Sequence, residues 1–427
     1  MWRPGPDGSR FARNVGRVAG ANVLAQGLLL ASAPLLTRLY RPEDFGALGV
    51  FMALVSLGMA FATARLEWSL PNPRSPTQAA ALLACGLAVL GGVCALIATA
   101  LPWAPQALLP ADWRGLSGTL WLLPWVLAGQ GLVQLLQAWH VRGAELGPLS
   151  RVKLLQSAAQ VAVALLAALS LSAAAGVWGL LAGALAGAWA GAIGLGLLAS
   201  GLGPAWRRLS RLRIAAAWRR YRGQAGWSTL AAVLNTLSLT AVPLLLARHY
   251  GAAEVGYYAL MQRVAFGPIG LVGSAVRQSF WAEAAQQARR DPATLRALFL
   301  RSTRRLGLLA IPVAALALAG PWIVGPLFGA AQWQGAGWVL AASVPMLLGQ
   351  MVVSPLSHLE VHGRQRGQAA WDGARLFLLI AAVEWQGRTE APLAQTVLCL
   401  SSVLGLMYLV LYRMNLRALD RAATLRP

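Results

Sequence analysis

Apolar runs of about 20 residues alternate with short polar or charged breaks along the whole chain. A helix of about 20 apolar residues crosses the hydrocarbon core of a bilayer, so each run is a candidate span. The runs lie at 15–37, 47–70, 79–101, 117–139, 154–172 and 177–200, then at 225–247, 257–280, 306–325, 337–357, 371–385 and 393–412. The pattern predicts an all-α polytopic membrane protein with about 12 transmembrane helices. The eleventh run is the weakest, because Asp372 and Arg375 interrupt it.

A stretch between two apolar runs occurs twice, which indicates an internal duplication. Thr37–Gly46 reads TRLYRPEDFG, and 210 positions later Ala247–Gly256 reads ARHYGAAEVG. A second echo, Gly129-Gln130, returns 220 positions later as Gly349-Gln350. The chain therefore has two similar halves of six predicted helices each, a plan typical of transporters whose site lies between two repeats.

Composition agrees with a membrane protein and excludes the soluble classes. Hydrophobic residues make up 57% of the 427 positions and charged residues only 12%, and the mean hydropathy is +0.58. A soluble domain carries about a quarter charged residues. The net charge of +22 does not indicate nucleic-acid binding, because the arginines lie between apolar runs and form no single basic face.

The basic residues instead predict how the chain is oriented. If the N-terminus is inside, the inner segments hold most of the 36 Lys and Arg residues. This bias predicts that both termini are cytoplasmic in a cell inner membrane. We expect an N-terminal lobe at 1–200 with helices 1–6, a basic cytoplasmic linker at 201–224 and a C-terminal lobe at 225–427 with helices 7–12.

The predicted linker carries seven arginines interleaved with Trp206, Trp218 and Tyr221. Basic and aromatic residues in such a mixture favour an amphipathic segment that lies on anionic membrane lipids. The alternative is that these charges serve topology alone.

The three cysteines, Cys85, Cys94 and Cys399, lie inside apolar runs without the spacing of metal ligands, so we expect no metal site.

Four features of the chain, three motifs and one general plan, together resemble one known group of transporters. They are TRLYRPEDFG after the first run, ARLEWSL at Ala64–Leu70, LFGAAQW at Leu327–Trp333 and the two-half plan. Together they resemble the bacterial polysaccharide and O-antigen flippases, which move lipid-linked oligosaccharides and belong to the multidrug/oligosaccharidyl-lipid/polysaccharide exporter superfamily. The resemblance implies two pseudo-symmetric six-helix lobes around a central cavity, and alternating access.

Three arginines at predicted membrane depth are candidate anion-binding groups: Arg65, Arg263 and Arg277. Ionisable groups at this depth usually face a cavity or a partner. Guanidinium groups bind phosphate oxygens bidentately and stay charged. In a regular helix Arg263 and Arg277, 14 positions apart, would share one face. The alternatives are that Arg65 pairs with Glu67 and that Arg277 reaches the inner headgroups.

Amide side chains form stripes on otherwise apolar helices and predict a hydrated path. The candidates for contact with glycan hydroxyls are Asn22, Gln26, Gln130, Gln134, Gln137 and Asn235. Neutral donors and acceptors suit sugars. Interhelical hydrogen bonds that only hold the bundle together are the alternative.

In the duplicated stretches, Arg38, Asp44, Arg248 and Glu254 are candidates for an outer gate.

The favoured function is a flippase for a polyprenyl-pyrophosphate-linked oligosaccharide in the synthesis of a surface polysaccharide, such as lipopolysaccharide O-antigen or exopolysaccharide. No covalent chemistry, cofactor or nucleic-acid partner is expected, and a polysaccharide polymerase and glycosyltransferases are candidate partners. A cation-coupled multidrug exporter of the same superfamily is the alternative. A membrane glycosyltransferase or polymerase is less favoured, because the outer loops are short.

Overall fold

The computed structural model describes residues 20–103, 113, 118–143, 145–171, 175–290, 292–329, 331–357 and 365–424. Helices occupy all twelve predicted places, and the described part of the chain contains no strand. In the first half they are α1 Gly20–Leu39, α2 Pro42–Ala62, α3 Pro76–Ala100, α4 Leu123–Arg142, α5 Leu146–Leu171 and α6 Gly176–Leu197.

The second half repeats this plan with longer and more broken helices. They are α7 Arg211–His249, α8 Ala252–Met261 with Gly267–Arg290, α9 Pro292–Leu318 with Gly320–Phe328, α10 Gln334–Ala342 with Val344–Val352, α11 Gln365–Arg388 and α12 Leu393–Thr424. The all-helical membrane fold predicted from the sequence is confirmed.

Eight of the described helices are long and apolar enough to cross a membrane, and ten if each of two bent pairs is one span. The bent pairs are the two parts of α9, at 67°, and the two parts of α10, at 50°. The helices α7 and α11 lie outside this set. Charged residues dilute α11, the run expected to be the weakest, yet it forms a continuous helix.

Two segment boundaries differ from the sequence expectation. Helix α7 runs without a break from Arg211 to His249, so much of the predicted linker is helical and continuous with the seventh span. Helix α2 ends at Ala62, and Arg65, expected inside a span, follows it with a left-handed backbone of φ 54°. Both Ala64 and Arg65 have positive φ, and this turn ends the helix.

The chain divides into two compact units. The first contains residues 1–40 and 47–240, and the second contains residues 41–46 and 241–427. The short segment Arg41–Gly46 therefore packs with the second unit, although it opens helix α2. The expected division at 201–224 stays a prediction.

The duplicated glycines occupy corresponding packing positions inside the two units. In the first unit, a Cβ built on Gly129 of α4 would press on Ala188 of α6. In the second, a Cβ built on Gly349 of α10 would collide with the ring of Tyr408 of α12. Ala188 and Tyr408 are themselves 220 positions apart. The repeated glycine therefore lies at the same close contact between two helices in each unit.

Candidate functional site

The duplicated segments meet in a reciprocal contact within the second unit. A Cβ on Gly46 would collide with the carbonyl oxygen of Ala252, and a Cβ on Gly256 would collide with that of Pro42. Pro42 and Ala252 are also 210 positions apart. Only glycine allows the two backbones to approach so closely. The two repeated segments therefore pack against each other, in addition to resembling each other in sequence.

The two duplicated acids, expected in an outer gate, bind backbone N–H groups in this structure. The backbone N–H of Arg41 donates to Asp44 Oδ2 at 3.0 Å, and that of Gly251 donates to Glu254 Oε2 at 3.2 Å. Each acid lies in the first turn of its helix, where free N–H groups and the helix dipole favour a negative charge. The acids therefore help to start α2 and α8.

The duplicated arginines lie at the ends of their helices. Arg38 is exposed at the end of α1. Arg248 approaches Glu384 of α11, with Nη1 3.4 Å from Oε1, and His249 Nε2 lies 3.3 Å from Oε2 of the same residue. A role of these arginines and of Asp44 and Glu254 in an outer gate stays a prediction.

The duplicated tyrosines, each directly after the first helix of its half, form hydrogen bonds to later segments of the same unit. Tyr40 donates to the carbonyl of Ala164 at 2.6 Å, and Tyr250 donates to the carbonyl of Ala391 at 3.0 Å. Thr396 contacts the Tyr250 hydroxyl as well. Burial raises the pKa of Tyr250 above its usual value, so the phenol stays protonated and can donate.

An open pocket of about 310 Å³ lies beside the reciprocal contact, inside the second unit. Its polar lining includes Arg41, Glu43, Tyr257 and Gln332. The Tyr257 ring packs edge-on against the buried Trp333, with centroids 6.1 Å apart. This aromatic support fixes the pocket wall.

Beyond the end of α2, a buried acid is held by neutral donors. Glu67 is only 8% exposed and accepts hydrogen bonds from Thr63 Oγ1 at 2.6 Å and from Gln134 Nε2 at 2.9 Å. The guanidinium of Arg65 lies over the ring of Trp68, 5.1 Å from its centroid. The contacts of Glu67 are therefore to a hydroxyl and an amide, whereas the Arg65 guanidinium contacts an aromatic face.

Arg263 lies in a single π turn, Gln262–Phe266, between the two parts of α8. Such turns widen a helix by one residue and are frequent at functional sites. Gln262 Nε2 reaches the hydroxyl of Tyr258 at 3.4 Å across the same region. The regular register that would place Arg263 and Arg277 on one face is therefore interrupted between them.

A polar cluster connects α8, the short turn after α10, α11 and α12 in the second unit. Arg277 is exposed and donates from Nη2 to Ser354 Oγ at 3.5 Å. Arg375 of α11 is buried and lies 3.1 Å from Asp372 Oδ1. Arg277, Asp372 and Arg375 all act electrostatically on the Tyr408 hydroxyl, and Arg375 is within hydrogen-bonding reach of it.

The predicted amide stripes are half-buried where the structure describes them. This holds for Asn22 and Gln26 on α1 and for Gln130, Gln134 and Gln137 on α4. Gln134 donates to Glu67 and so takes part in packing within the first unit. The backbone of Asn235 is helical, and its side chain lies outside the described atoms.

Two residues of interest were missed by sequence reasoning, namely Glu67 as a hydrogen-bonded buried acid and Arg375 as a buried cation. The spacing of Asp372 and Arg375, three apart on one helix face, was the available signal for the second. The described residues contain no group of three or more His, Cys, Asp or Glu side chains that could hold a metal ion.

Comparison with known families shows to which family the chain belongs. The sequence model of the family described as Polysaccharide biosynthesis protein matches residues 35–337, well over half of the chain. The chain belongs to this family. No curated protein sequence matches it significantly.

Solved structures show that this family member has the fold of the multidrug/oligosaccharidyl-lipid/polysaccharide superfamily, abbreviated MOP. An inward-facing MATE multidrug resistance transporter matches with a TM-score of 0.66 at 14% identity, covering 96% of both chains. The lipid II flippase MurJ, in an inward closed conformation, matches at 0.68 and 11% identity, covering 95% of this chain and 89% of the other.

A third match extends the same conclusion. A MOP transporter from Pyrococcus furiosus matches at 0.57 and 15% identity, covering 96% of both chains. The family member described here is thus a multi-pass membrane protein with the fold of the MOP-superfamily structures, and its structural neighbours are transporters and a flippase.

Proposed function

We propose that the protein is a flippase that moves a polyprenyl-pyrophosphate-linked oligosaccharide from the inner to the outer leaflet of the cytoplasmic membrane. The observation that carries the proposal is the match to the polysaccharide biosynthesis family across residues 35–337. The fold is shared by drug exporters and by a lipid II flippase, so the family match favours a glycan-bearing cargo. The products served are surface polysaccharides such as O-antigen or exopolysaccharide.

The arginines give this cargo a chemical basis. A pyrophosphate that crosses hydrocarbon must have its charge neutralised, and guanidinium groups do this with directed pairs of hydrogen bonds. Arg65 and Arg277 would take the pyrophosphate on the inner side, and Arg263 would receive it farther out. The π turn that carries Arg263 supports this role, because irregular helix turns concentrate at functional sites.

The amide side chains would accompany the glycan. Gln130, Gln137, Asn22 and Gln26 are half-buried and offer neutral donors and acceptors to sugar hydroxyls. Alternating access of two lobes would expose the path first to the cytoplasm and then to the outside, with Arg38, Asp44, Arg248 and Glu254 at the outer gate. Partner enzymes would be the polymerase and glycosyltransferases of the same pathway, and the basic start of α7 would contact anionic lipids.

A cation-coupled multidrug exporter is the second candidate, and Glu67 is the observation in its favour. Its carboxylate is buried and held by a hydroxyl and an amide. A buried carboxylate of this kind is a candidate binding group for a coupling cation. Transport assays in proteoliposomes separate the two functions: export of a lipid-linked glycan supports the first, and export of a cationic dye without glycan transport supports the second.

A further inference from the structure

Arg375 is a buried cation whose hydrogen-bonding capacity is only partly used. Its side chain is about 7% exposed, and its guanidinium lies over the ring of Trp371, 4.7 Å from the centroid. Neither Nε nor Nη2 makes a hydrogen bond to any group among the described residues. An arginine has five N–H donors and no acceptor, so these two positions call for an acceptor.

Asp372 neutralises Arg375 without satisfying it. Its Oδ1 lies 3.1 Å from Nη2, an ion-pair distance, but Nη2 is not aligned for a hydrogen bond. The Asp372 side chain is 22% exposed, three times the value for Arg375, so the carboxylate is the more accessible member of the pair. Its other oxygen, Oδ2, accepts from Gln368 Nε2 at 3.3 Å.

A second cation acts on the same place. Arg277 on α8 is exposed and donates to Ser354 Oγ, and the neighbouring Val353 packs in one core cluster with Trp371 and Tyr408, the residues beside Arg375. Two guanidinium groups and one carboxylate leave one net positive charge in this part of the unit. Such a charge on a membrane-spanning protein is stabilised when an anion binds.

We propose that Arg375 and Arg277 form an anion site for the diphosphate of a polyprenyl carrier, and that Asp372 is the internal counter-ion of Arg375. The incoming diphosphate displaces the Asp372 carboxylate and takes over the unsatisfied N–H groups of Arg375. The Tyr408 hydroxyl donates to the bound oxygen. This inference rests on the anionic cargo of the proposed function and adds a specific second binding group to it.

The internal counter-ion gives the site a property that a purely structural ion pair lacks. Removing Arg375 removes a group that binds the diphosphate. Removing the charge of Asp372 removes the carboxylate that competes with the diphosphate for Arg375. The two substitutions therefore change diphosphate affinity in opposite directions. If the ion pair only stabilised the fold, both substitutions would lower the stability of the protein.

Binding of farnesyl diphosphate to the purified full-length protein in detergent, measured by calorimetry, tests the site. Arg375→Gln should weaken binding about tenfold or more, since a hydrogen-bonded charge of this kind is lost. Asp372→Asn should tighten binding, and the double variant should be as weak as Arg375→Gln. Arg388→Gln, at the exposed end of the same helix, is the matched control and should bind like the parent.

Two comparisons identify the source of the anion. Phosphatidylglycerol in place of farnesyl diphosphate should bind weakly and without dependence on Arg375, and equal, Arg375-dependent binding would overturn the diphosphate assignment. Unchanged farnesyl diphosphate affinity in Arg375→Gln, in protein whose thermal unfolding matches the parent, would also overturn it. So would weaker binding in Asp372→Asn.

The binding assay contains no glycan and no transport step, so it separates this inference from the proposed function. If Arg375→Gln binds farnesyl diphosphate normally and the parent still transports lipid-linked glycan, only the anion site is wrong. If binding depends on Arg375 but no glycan is transported by the parent, the anion site stands and the proposed cargo is wrong.

Discussion

Glu67 and Arg277 occupy equivalent positions in the two halves of the chain, 210 residues apart, with opposite charges. Glu67 contacts the fourth helix of its half through Gln134, and Arg277 contacts Ser354 in the short turn that follows the fourth helix of the second half. Gln134 and Ser354 are themselves 220 positions apart. The duplication therefore preserved the contact and changed its chemistry, leaving a buried acid in one unit and an exposed cation in the other.

Glu67→Ala should destabilise the protein by about 1–3 kcal/mol, because the Thr63 hydroxyl and the Gln134 amide lose their acceptor in a buried place. Glu67→Gln keeps one oxygen acceptor and should cost less. Denaturant or thermal unfolding in detergent measures both. A Glu67→Ala protein as stable as the parent would show that these hydrogen bonds contribute nothing.

Gly46→Ala and Gly256→Ala should each destabilise the protein by roughly 1–3 kcal/mol, since the new methyl group meets a backbone carbonyl that cannot rotate away. Gly270→Ala is the matched control, because nothing lies within 4 Å of its Cβ position. Alanine also favours a helix over glycine, so the control should be neutral or slightly stabilising. Equal unfolding midpoints for all three variants would contradict the reciprocal contact.

Tyr250→Phe should lower the free energy of unfolding by about 1 kcal/mol, the usual contribution of a hydrogen bond. The pKa of Tyr250 is raised in the folded protein. The neutral hydroxyl therefore makes its full contribution to the free energy of unfolding below the unfolded pKa of about 10, and this contribution is lost as pH rises through the folded pKa. The stability difference between parent and variant should therefore be constant from pH 7 to 9. A difference that disappears within that window would contradict the assignment.

Arg263→Ala should slow transport of a lipid-linked glycan about tenfold or more, and Arg263→Lys should retain part of the rate, because lysine keeps the charge but not the two-pronged donor. Arg388→Ala at the exposed end of α11 serves as the control. Initial rates in proteoliposomes of equal protein content are the measurement. An Arg263→Ala protein that inserts normally and transports at the parent rate removes this arginine from the path.

Hydrophobic run length and the sequence motifs were enough to predict the helical membrane fold and the kind of family to which the chain belongs. They located all twelve helices, because the bilayer fixes the length of each apolar run. The ends of α2 and α7 were misplaced, since apolar residues continue past Ala62 into a left-handed turn and a basic segment continues α7 as helix. Run length carries no information about either event.

The candidate site was only partly readable for a related reason. Arginines and glutamines were recognisable as unusual residues in apolar runs, but their partners depend on tertiary packing. The π turn at Arg263 and the contact between Glu67 and Gln134, 67 positions apart, leave no local pattern. Asp44 and Glu254 illustrate the limit: sequence symmetry singled them out, and the structure uses both as acceptors for helix-starting N–H groups.

The most direct test of the central claim is reconstitution of the purified protein in liposomes that contain a polyprenyl-pyrophosphate oligosaccharide in the inner leaflet. An external glycan-cleaving enzyme then reports how much glycan reaches the outside. We predict protein-dependent exposure that falls in Arg65→Ala and Arg263→Ala and is unchanged in Arg388→Ala. No exposure with several different glycans, from folded protein that exports a cationic dye, would contradict the flippase account.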